Sequence, residues 1–129
     1  MDTRLYNSLR KSIIFKDVSE VNFNEIVNEI PFRILDYKKN EILFFEGDDC
    51  NSIGIVLDGE VEVNKGLTIG KKVNITKIKA GDMFAEAVVF SQYHKFPATI
   101  EASSDSKVLF ISRENIVKMC SKYPDFIEK

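Results

Sequence analysis

The chain has little of the chemistry on which most metalloenzymes and hydrolases depend. Its 129 residues include one histidine, His94, two cysteines, and no CxxC or HExxH motif. A zinc site or a two-histidine-one-carboxylate iron site would therefore lack ligands, and no Ser/His/Asp or Cys/His grouping stands out. We expect a binding domain without a metal or cofactor rather than an enzyme.

Several further absences concern the cell compartment and the partners. Cys50 and Cys120 are too few for a disulfide framework. No apolar run is long enough to span a bilayer, and the charged, polar N-terminus is a poor secretory signal. The net charge of -2, with acids and bases mixed along the chain, speaks against nucleic-acid binding by these residues alone. Together these features favour a cytoplasmic protein that does not bind membranes.

The first thirty residues have helical patterns. A first helix is indicated by apolar residues at helical spacing, namely Leu5, Tyr6, Leu9 and Ile13. Asn22 is the predicted N-cap of a second, short helix that runs to Ile30. Pro31 follows directly and would end that helix, since proline cannot continue it.

The middle of the chain consists of short alternating runs separated by turn residues. Strands are predicted over residues 32–37, 41–45, 53–57, 61–63, 73–78, 98–102 and 107–112. Asp58-Gly59, between alternating apolar residues, predicts a two-residue hairpin with positive φ at both central positions. Asn64-Lys65-Gly66 predicts a second turn. Because no helix-length segment separates the strands, a mostly β sandwich or jelly roll with flanking helices is favoured.

The C-terminal part is helical again. Ser112 is the predicted N-cap of a helix whose predicted inward face is formed by Ile116, Val117, Met119 and Cys120. Pro124 suits the first turn of another helix, which the sequence interrupts at Lys129. We therefore interpret residues 1–129 as one domain of a longer protein, with 124–129 as the start of a truncated helix.

Four short motifs occur in a specific order along the chain. They are Glu46-Gly47-Asp48, Asp58-Gly59-Glu60-Val61, Gly81-Asp82-Met83-Phe84-Ala85-Glu86 and Pro97-Ala98-Thr99-Ile100. Turn positions are expected at Gly47, Asp48, Asp58, Gly59, Gly81 and Asp82. By the order and spacing of these motifs, residues from about 15 to 126 resemble the cyclic-nucleotide-binding domain superfamily. More narrowly, they resemble the effector domain of bacterial Crp/Fnr-type transcription regulators.

The resemblance implies a fold and a set of partners. The fold would be a double-stranded β-helix, or jelly-roll β-roll. A short helix after Phe84-Ala85-Glu86 and the loop that follows it, up to Thr99, would form a phosphate-binding cassette. A long helix that pairs two subunits would follow, so residues 124–129 would begin the dimerisation helix of a homodimer. A helix-turn-helix domain beyond this chain would bind DNA.

The cassette of this chain departs from the family pattern. Glu86 stands where the family places its ribose-binding glutamate, whereas Ala85 stands where glycine is usual. Aligning Ala98-Thr99 with the family's Ala-Thr pair puts Phe96 where the phosphate-binding arginine should be. Because the loss of such a charge-assisted contact costs about tenfold or more in affinity, ordinary cyclic-AMP binding is not favoured.

A different small-molecule effector in the same cavity is the favoured hypothesis. An apolar, partly aromatic pocket with a few polar groups suits small organic molecules such as aromatic acids or phenolates. The alternatives are a regulatory domain that does bind cyclic nucleotides, and a ligand-free interaction domain whose pocket is filled by Tyr93 and Phe96. The candidate ligand-binding residues are Phe84, Ala85, Glu86, Ala87, Val88, Val89, Tyr93, His94, Lys95, Phe96, Pro97, Ala98 and Thr99.

Overall fold

Eight strands and four helices make up the fold in a computed structural model that describes residues 3–12, 15–68 and 71–123. The helices are α1 (Thr3–Arg10), α2 (Glu20–Glu29), α3 (Glu86–Val89) and α4 (Arg113–Lys122). The strands are β1 (Arg33–Tyr37), β2 (Ile42–Phe44), β3 (Ser52–Asp58), β4 (Glu60–Thr68), β5 (Lys71–Lys79), β6 (Met83–Phe84), β7 (Thr99–Ala102) and β8 (Ser106–Ser112). None of the helices within these ranges is long and apolar enough to cross a membrane.

The strands form two four-stranded antiparallel sheets. One has the order β1-β8-β3-β6 and the other the order β2-β7-β4-β5. Strands that follow one another in sequence mostly lie in different sheets, as in a jelly-roll β-roll. The predicted mostly β architecture with flanking helices is confirmed.

The hairpin predicted at Asp58-Gly59 is wrong. β3 pairs with β8 and β6, whereas β4 pairs with β5 and β7, so these two residues carry the chain from one sheet to the other. Of the pair, Gly59 has positive φ, at 83°. A Cβ on Gly59 would also lie 2.8 Å from the Cα of Ser106, which leaves room for glycine alone at this corner.

The predicted turn at Asn64-Lys65-Gly66 is also wrong, because these residues lie inside β4. Turn geometry is present at other predicted positions. Gly47 and Gly81 have φ of 92° and 95°. The Asp48 carboxylate accepts a hydrogen bond from the Phe45 amide at 2.8 Å, and the Asp82 amide donates to the Lys79 carbonyl at 3.0 Å.

The helix boundaries are partly as predicted. α2 begins one turn earlier than expected, because Ser19 is its N-cap and accepts a hydrogen bond from the Asn22 amide at 3.2 Å. Ser112 caps α4 as predicted. On α4, Val117 is 51% exposed and does not belong to the inward face. Residue 13 and the helix predicted from residue 124 lie outside the described residues.

The sheet that contains β3 and β8 is covered on both faces. Phe110 lies between the sheets, where its ring meets those of Phe44 and Phe84. Helix α1 packs against β3, and helix α4 packs against β8. This double coverage explains why Ile53, Ile55, Val56 and Leu57 are all buried and do not alternate.

Candidate functional site

The short helix α3 is positioned by the strand before it. In β6, Phe84 pairs with Gly54 of β3, and the Phe84 ring covers the space that a side chain on Gly54 would occupy. Ala85 then turns the chain into α3 with a left-handed backbone, at φ 73° and ψ 6°. This conformation costs a residue with a side chain about 1–2 kcal/mol, and glycine adopts it freely.

The segment after α3 is fastened to the loop between β2 and β3. The Phe96 amide donates to the Asp48 carbonyl at 2.9 Å, and the Gly47 amide donates to the Phe96 carbonyl at 2.8 Å. Beside them, the Lys95 ammonium pairs with the Asp49 carboxylate at 2.6 Å. The hydrogen bond from Lys95 lowers the pKa of Asp49. The second half of the cassette is therefore held at several points.

Four aromatic rings connect the cassette to the interior of the roll. Phe96, only 3% exposed, stacks on Phe44 with ring centroids 4.3 Å apart and an interplanar angle of 16°. Phe44 meets the edge of Phe110 at 5.8 Å, and Phe110 meets Phe84 at 6.2 Å. Phe96 is thus a core residue as well as a member of the cassette.

A small cavity of about 110 Å³ lies beside this ring cluster. This volume is smaller than the roughly 300–1,000 Å³ of most ligand pockets. It is closer to the volume of about 150 Å³ that accommodates benzene in an engineered protein core. The lining residues are all apolar: Val63, Phe84, Ala85, Val88, Phe96, Pro97, Ala98 and Ile100. We call this space the apolar cavity.

An open groove of about 430 Å³ adjoins the apolar cavity. The two spaces share Val63, Phe84 and Ala85. The groove differs in carrying polar groups, since Asp82 and Glu86 lie along it. Cavity and groove together could accept a molecule with one apolar end and one hydrogen-bonding end. Within the described ranges, no group of three or more potential metal ligands occurs.

The thirteen predicted site residues fall into three groups. Six of them line the apolar cavity, namely Phe84, Ala85, Val88, Phe96, Pro97 and Ala98. Glu86 and Ala87 are exposed, and Glu86 borders the groove. The structure places the remaining five outside the cavity, namely Val89, Tyr93, His94, Lys95 and Thr99.

Each of these five has another environment. Val89 is fully buried in the core, and Tyr93 is 83% exposed. The Nδ1 atom of His94 lies 3.3 Å from the Val89 carbonyl oxygen. Lys95 is held by its ion pair, and the Thr99 hydroxyl accepts a hydrogen bond from the Glu46 amide at 3.1 Å. The expected aromatic contribution of Tyr93 to the pocket is therefore absent from this arrangement.

Three residues near the cavity are not among the site residues that the sequence predicts. Val63 and Ile100 line it, and the Lys65 ammonium donates to the carbonyl of Pro97 at 3.4 Å. Val61, Val63 and Lys65 alternate along β4 and so share one face. That alternation was the available signal, and the turn predicted at Asn64-Lys65-Gly66 obscured it.

Comparisons with known proteins agree with this architecture. A family model described as the cyclic nucleotide-binding domain matches residues 34–123. No curated protein matches the chain. Among solved structures, a transcriptional regulator from Thermotoga maritima (TM1171) is 25% identical with a TM-score of 0.69, and the match covers 74% of each chain.

Two further structures share the fold at lower identity. The sensor domain of the transcriptional regulator DNR from Pseudomonas aeruginosa is 16% identical with a TM-score of 0.75, and the match covers 95% of this chain and 84% of that one. A candidate cyclic nucleotide-binding protein from Ruegeria pomeroyi is 20% identical with a TM-score of 0.78, and the match covers 96% of this chain. This chain spans only 54% of the length of the Ruegeria protein.

Proposed function

The chain belongs to the cyclic nucleotide-binding domain family, and from this premise we propose that it is the effector-binding sensor domain of a Crp/Fnr-like transcription regulator. In this proposal the domain works in the cytoplasm, binds a small molecule without transforming it, and passes the signal to a DNA-binding domain beyond these residues. Its similarity to the DNR sensor domain and to the Thermotoga regulator supports this reading.

The burial of Phe96 is the observation that carries the proposal for the effector. The family resemblance places a phosphate-binding arginine at this position, but the phenyl ring here stacks on Phe44 inside the roll. An apolar ring offers a phosphate no charge-assisted hydrogen bond. The effector would therefore be a small, largely apolar molecule seated in the apolar cavity instead of a cyclic nucleotide bound in the usual manner.

Coupling to DNA binding would use the contact between the cassette and α4. The Arg113 guanidinium at the start of α4 lies over the ring of Phe90, 5.8 Å from its centroid, and Phe90 directly follows α3. A ligand that favours one position of α3 would shift the population of α4 orientations. In the full-length homodimer, the helix predicted after α4 would transmit that shift to the DNA-binding domains.

Two other functions remain candidates. The open groove beside Glu86 favours a cyclic-nucleotide-binding domain that grips the phosphate through another cation. The stacking of Phe96 on Phe44 favours a ligand-free interaction domain with a mostly filled interior. These candidates differ in their response to ligands, so one binding experiment separates them.

A thermal-shift screen tests the proposal. Cyclic AMP, cyclic GMP, benzoate, 4-hydroxybenzoate and phenol would be added to the 129-residue chain in turn. A ligand at a hundred times its dissociation constant stabilises the folded state by about 2.7 kcal/mol, which for a domain of this size is a shift of several degrees. Stabilisation by the aromatic compounds without a response to cyclic nucleotides is expected.

A blocking variant locates the binding. Val88→Phe would fill the apolar cavity, and the response to ligand should disappear while the domain stays folded. Val117→Phe, at an exposed position on α4, is the matched control and should keep the response. A response to cyclic nucleotides alone would favour the nucleotide-binding candidate, and the absence of any response would favour the ligand-free domain.

A further inference from the structure

Lys65 presents a positive charge beside the apolar cavity. Its Nζ donates to the carbonyl oxygen of Pro97 at 3.4 Å, and Pro97 lines the cavity. Lys65 follows Val63 by two positions on β4, so both side chains lie on the same face of the strand. Because Val63 lines the cavity, that face is the one on which a bound molecule would sit.

The ammonium group of Lys65 is exposed and only weakly engaged by the rest of the described protein. A contact of 3.4 Å to an uncharged carbonyl is long for a hydrogen bond, and a stronger acceptor would replace it readily. In the part of the chain that the structure describes, no carboxylate pairs with Lys65. Lys95, the lysine among the predicted ligand-binding residues, is held by Asp49 at 2.6 Å.

The carboxylates beside Phe96 are already engaged, because Asp48 accepts from the Phe45 amide and Asp49 pairs with Lys95. Asp82 and Glu86 border the open groove, whereas Pro97 and Ala98 border only the apolar cavity. An anionic group would be repelled from the groove by these carboxylates and attracted to the side where Lys65 lies. The charge distribution of the site is therefore asymmetric, with carboxylates along the groove and the Lys65 ammonium at Pro97.

We propose that Lys65 is the anion-binding residue of this domain. It holds the carboxylate or phosphate of an organic anion whose apolar part fills the space between Phe84, Val88 and Phe96. The inference rests on the proposed effector-binding function and narrows the effector to small anions with an apolar body. The gain in binding free energy comes from a charge-assisted hydrogen bond between Lys65 and the anion, which is shorter and stronger than the present contact to Pro97.

Calorimetric titration of the 129-residue chain tests this role with three probes: benzoate, its uncharged counterpart benzamide, and cyclic AMP. Lys65→Met removes the charge and keeps most of the apolar stem. We expect it to weaken benzoate binding about five- to tenfold, as the loss of one partly exposed ionic contact should. Benzamide binding should stay unchanged. Lys118→Met, at an exposed lysine on α4 outside the site, is the matched control and should leave both affinities as they are.

The outcomes separate this inference from the proposed function. Benzoate binding that survives Lys65→Met, or that falls in parallel with benzamide binding, overturns the role of Lys65 while the effector cavity stands. Cyclic AMP binding that Lys65→Met weakens would support the role and assign the anion as a phosphate ester. If no probe binds to the unaltered chain, the cavity itself is not an effector site and both proposals fail. Thermal unfolding of Lys65→Met serves to check that the variant is folded, which we expect because Lys65 is exposed.

Discussion

The ring of Phe96 lies parallel to the ring of Phe44, with centroids 4.3 Å apart. This contact joins the cassette to the interior of the roll, because Phe44 packs in turn against Phe110. One residue therefore contributes both to the stability of the fold and to the shape of the apolar cavity.

Phe96→Ala should lower the free energy of unfolding by about 3 kcal/mol, the usual cost of removing a buried phenyl ring. Tyr93→Ala is the matched control, because Tyr93 lies in the same loop and is 83% exposed. Its effect should stay within about 0.5 kcal/mol. Urea denaturation monitored by circular dichroism measures both, and equal losses would contradict the packing described for Phe96.

Ala85→Gly should stabilise the domain by about 0.5–1 kcal/mol. The left-handed backbone at Ala85 is strained for a residue with a Cβ, and glycine removes this strain. The resulting gain in stability exceeds the cost of the extra conformational entropy that glycine gives the unfolded chain. Ala87→Gly, within α3 and exposed, should instead destabilise by about 0.5–1 kcal/mol. Opposite signs in the two denaturation midpoints are the expected result, and a loss of stability in both variants would count against the strain at Ala85.

Gly54→Ala should destabilise the domain by about 1–3 kcal/mol through overpacking. A Cβ at this position would lie within 2.8 Å of three atoms of the Phe84 ring. The smaller side chain in Phe84→Leu should reduce this cost. A double-mutant cycle measures the effect, with a coupling of about 0.5 kcal/mol or more expected between the two positions. Strict additivity would mean that the ring of Phe84 does not cover Gly54.

The ion pair between α2 and the end of α4 predicts a dependence of stability on pH. Both carboxylate oxygens of Glu29 accept from the Lys122 ammonium, at 2.6 and 2.7 Å, and the buried Tyr123 hydroxyl donates to one of them at 3.0 Å. The hydrogen bond from Lys122 lowers the pKa of Glu29 below its ordinary value of 4.5. A carboxylate whose pKa is lowered by folding stabilises the folded state above its unfolded pKa and loses that effect as the pH falls through the folded pKa.

Glu29→Gln should therefore have a lower melting temperature than the unaltered chain at pH 7. The difference should shrink below pH 4.5 and vanish once Glu29 is protonated in the folded state. Thermal unfolding between pH 7 and pH 3 measures it. Glu25→Gln, on the same helix and exposed, provides the control curve. A difference that stays constant across this range would rule out Glu29 as its source.

The sequence predicted most strand positions, but it predicted their partners poorly. Local alternation identified β3 and the start of β4, and the Asp-Gly pair between them favoured a hairpin. The actual corner depends on the pairing of β3 with β8, whose residues lie about 50 to 60 positions away in the chain. Such a pairing leaves no mark in a short window of residues, so the local turn signal was misread.

The candidate site shows the same division. The sequence predicts the glycine turns and the cap at Ser112, and the proposed departure of Phe96 from the family pattern also comes from the sequence. The aromatic character of Tyr93 and its closeness to Phe96 in the sequence predict that it lies in the pocket. In the structure Tyr93 is exposed, whereas the backbone of His94 and Phe96 is hydrogen-bonded to the loop before β3.

The sequence by itself determined the family and the mostly β architecture. It also carries the prediction of where the cassette lies and the proposal that the cassette lacks its expected arginine. These properties depend on residue types and on spacing along the chain. Only the tertiary structure decided which side chains surround the cavity and that Lys65, from a strand more than thirty residues away from Pro97, supplies the charge beside it. The reason is physical: a binding site is made of contacts between distant segments, and those contacts exist only after the two sheets have packed together.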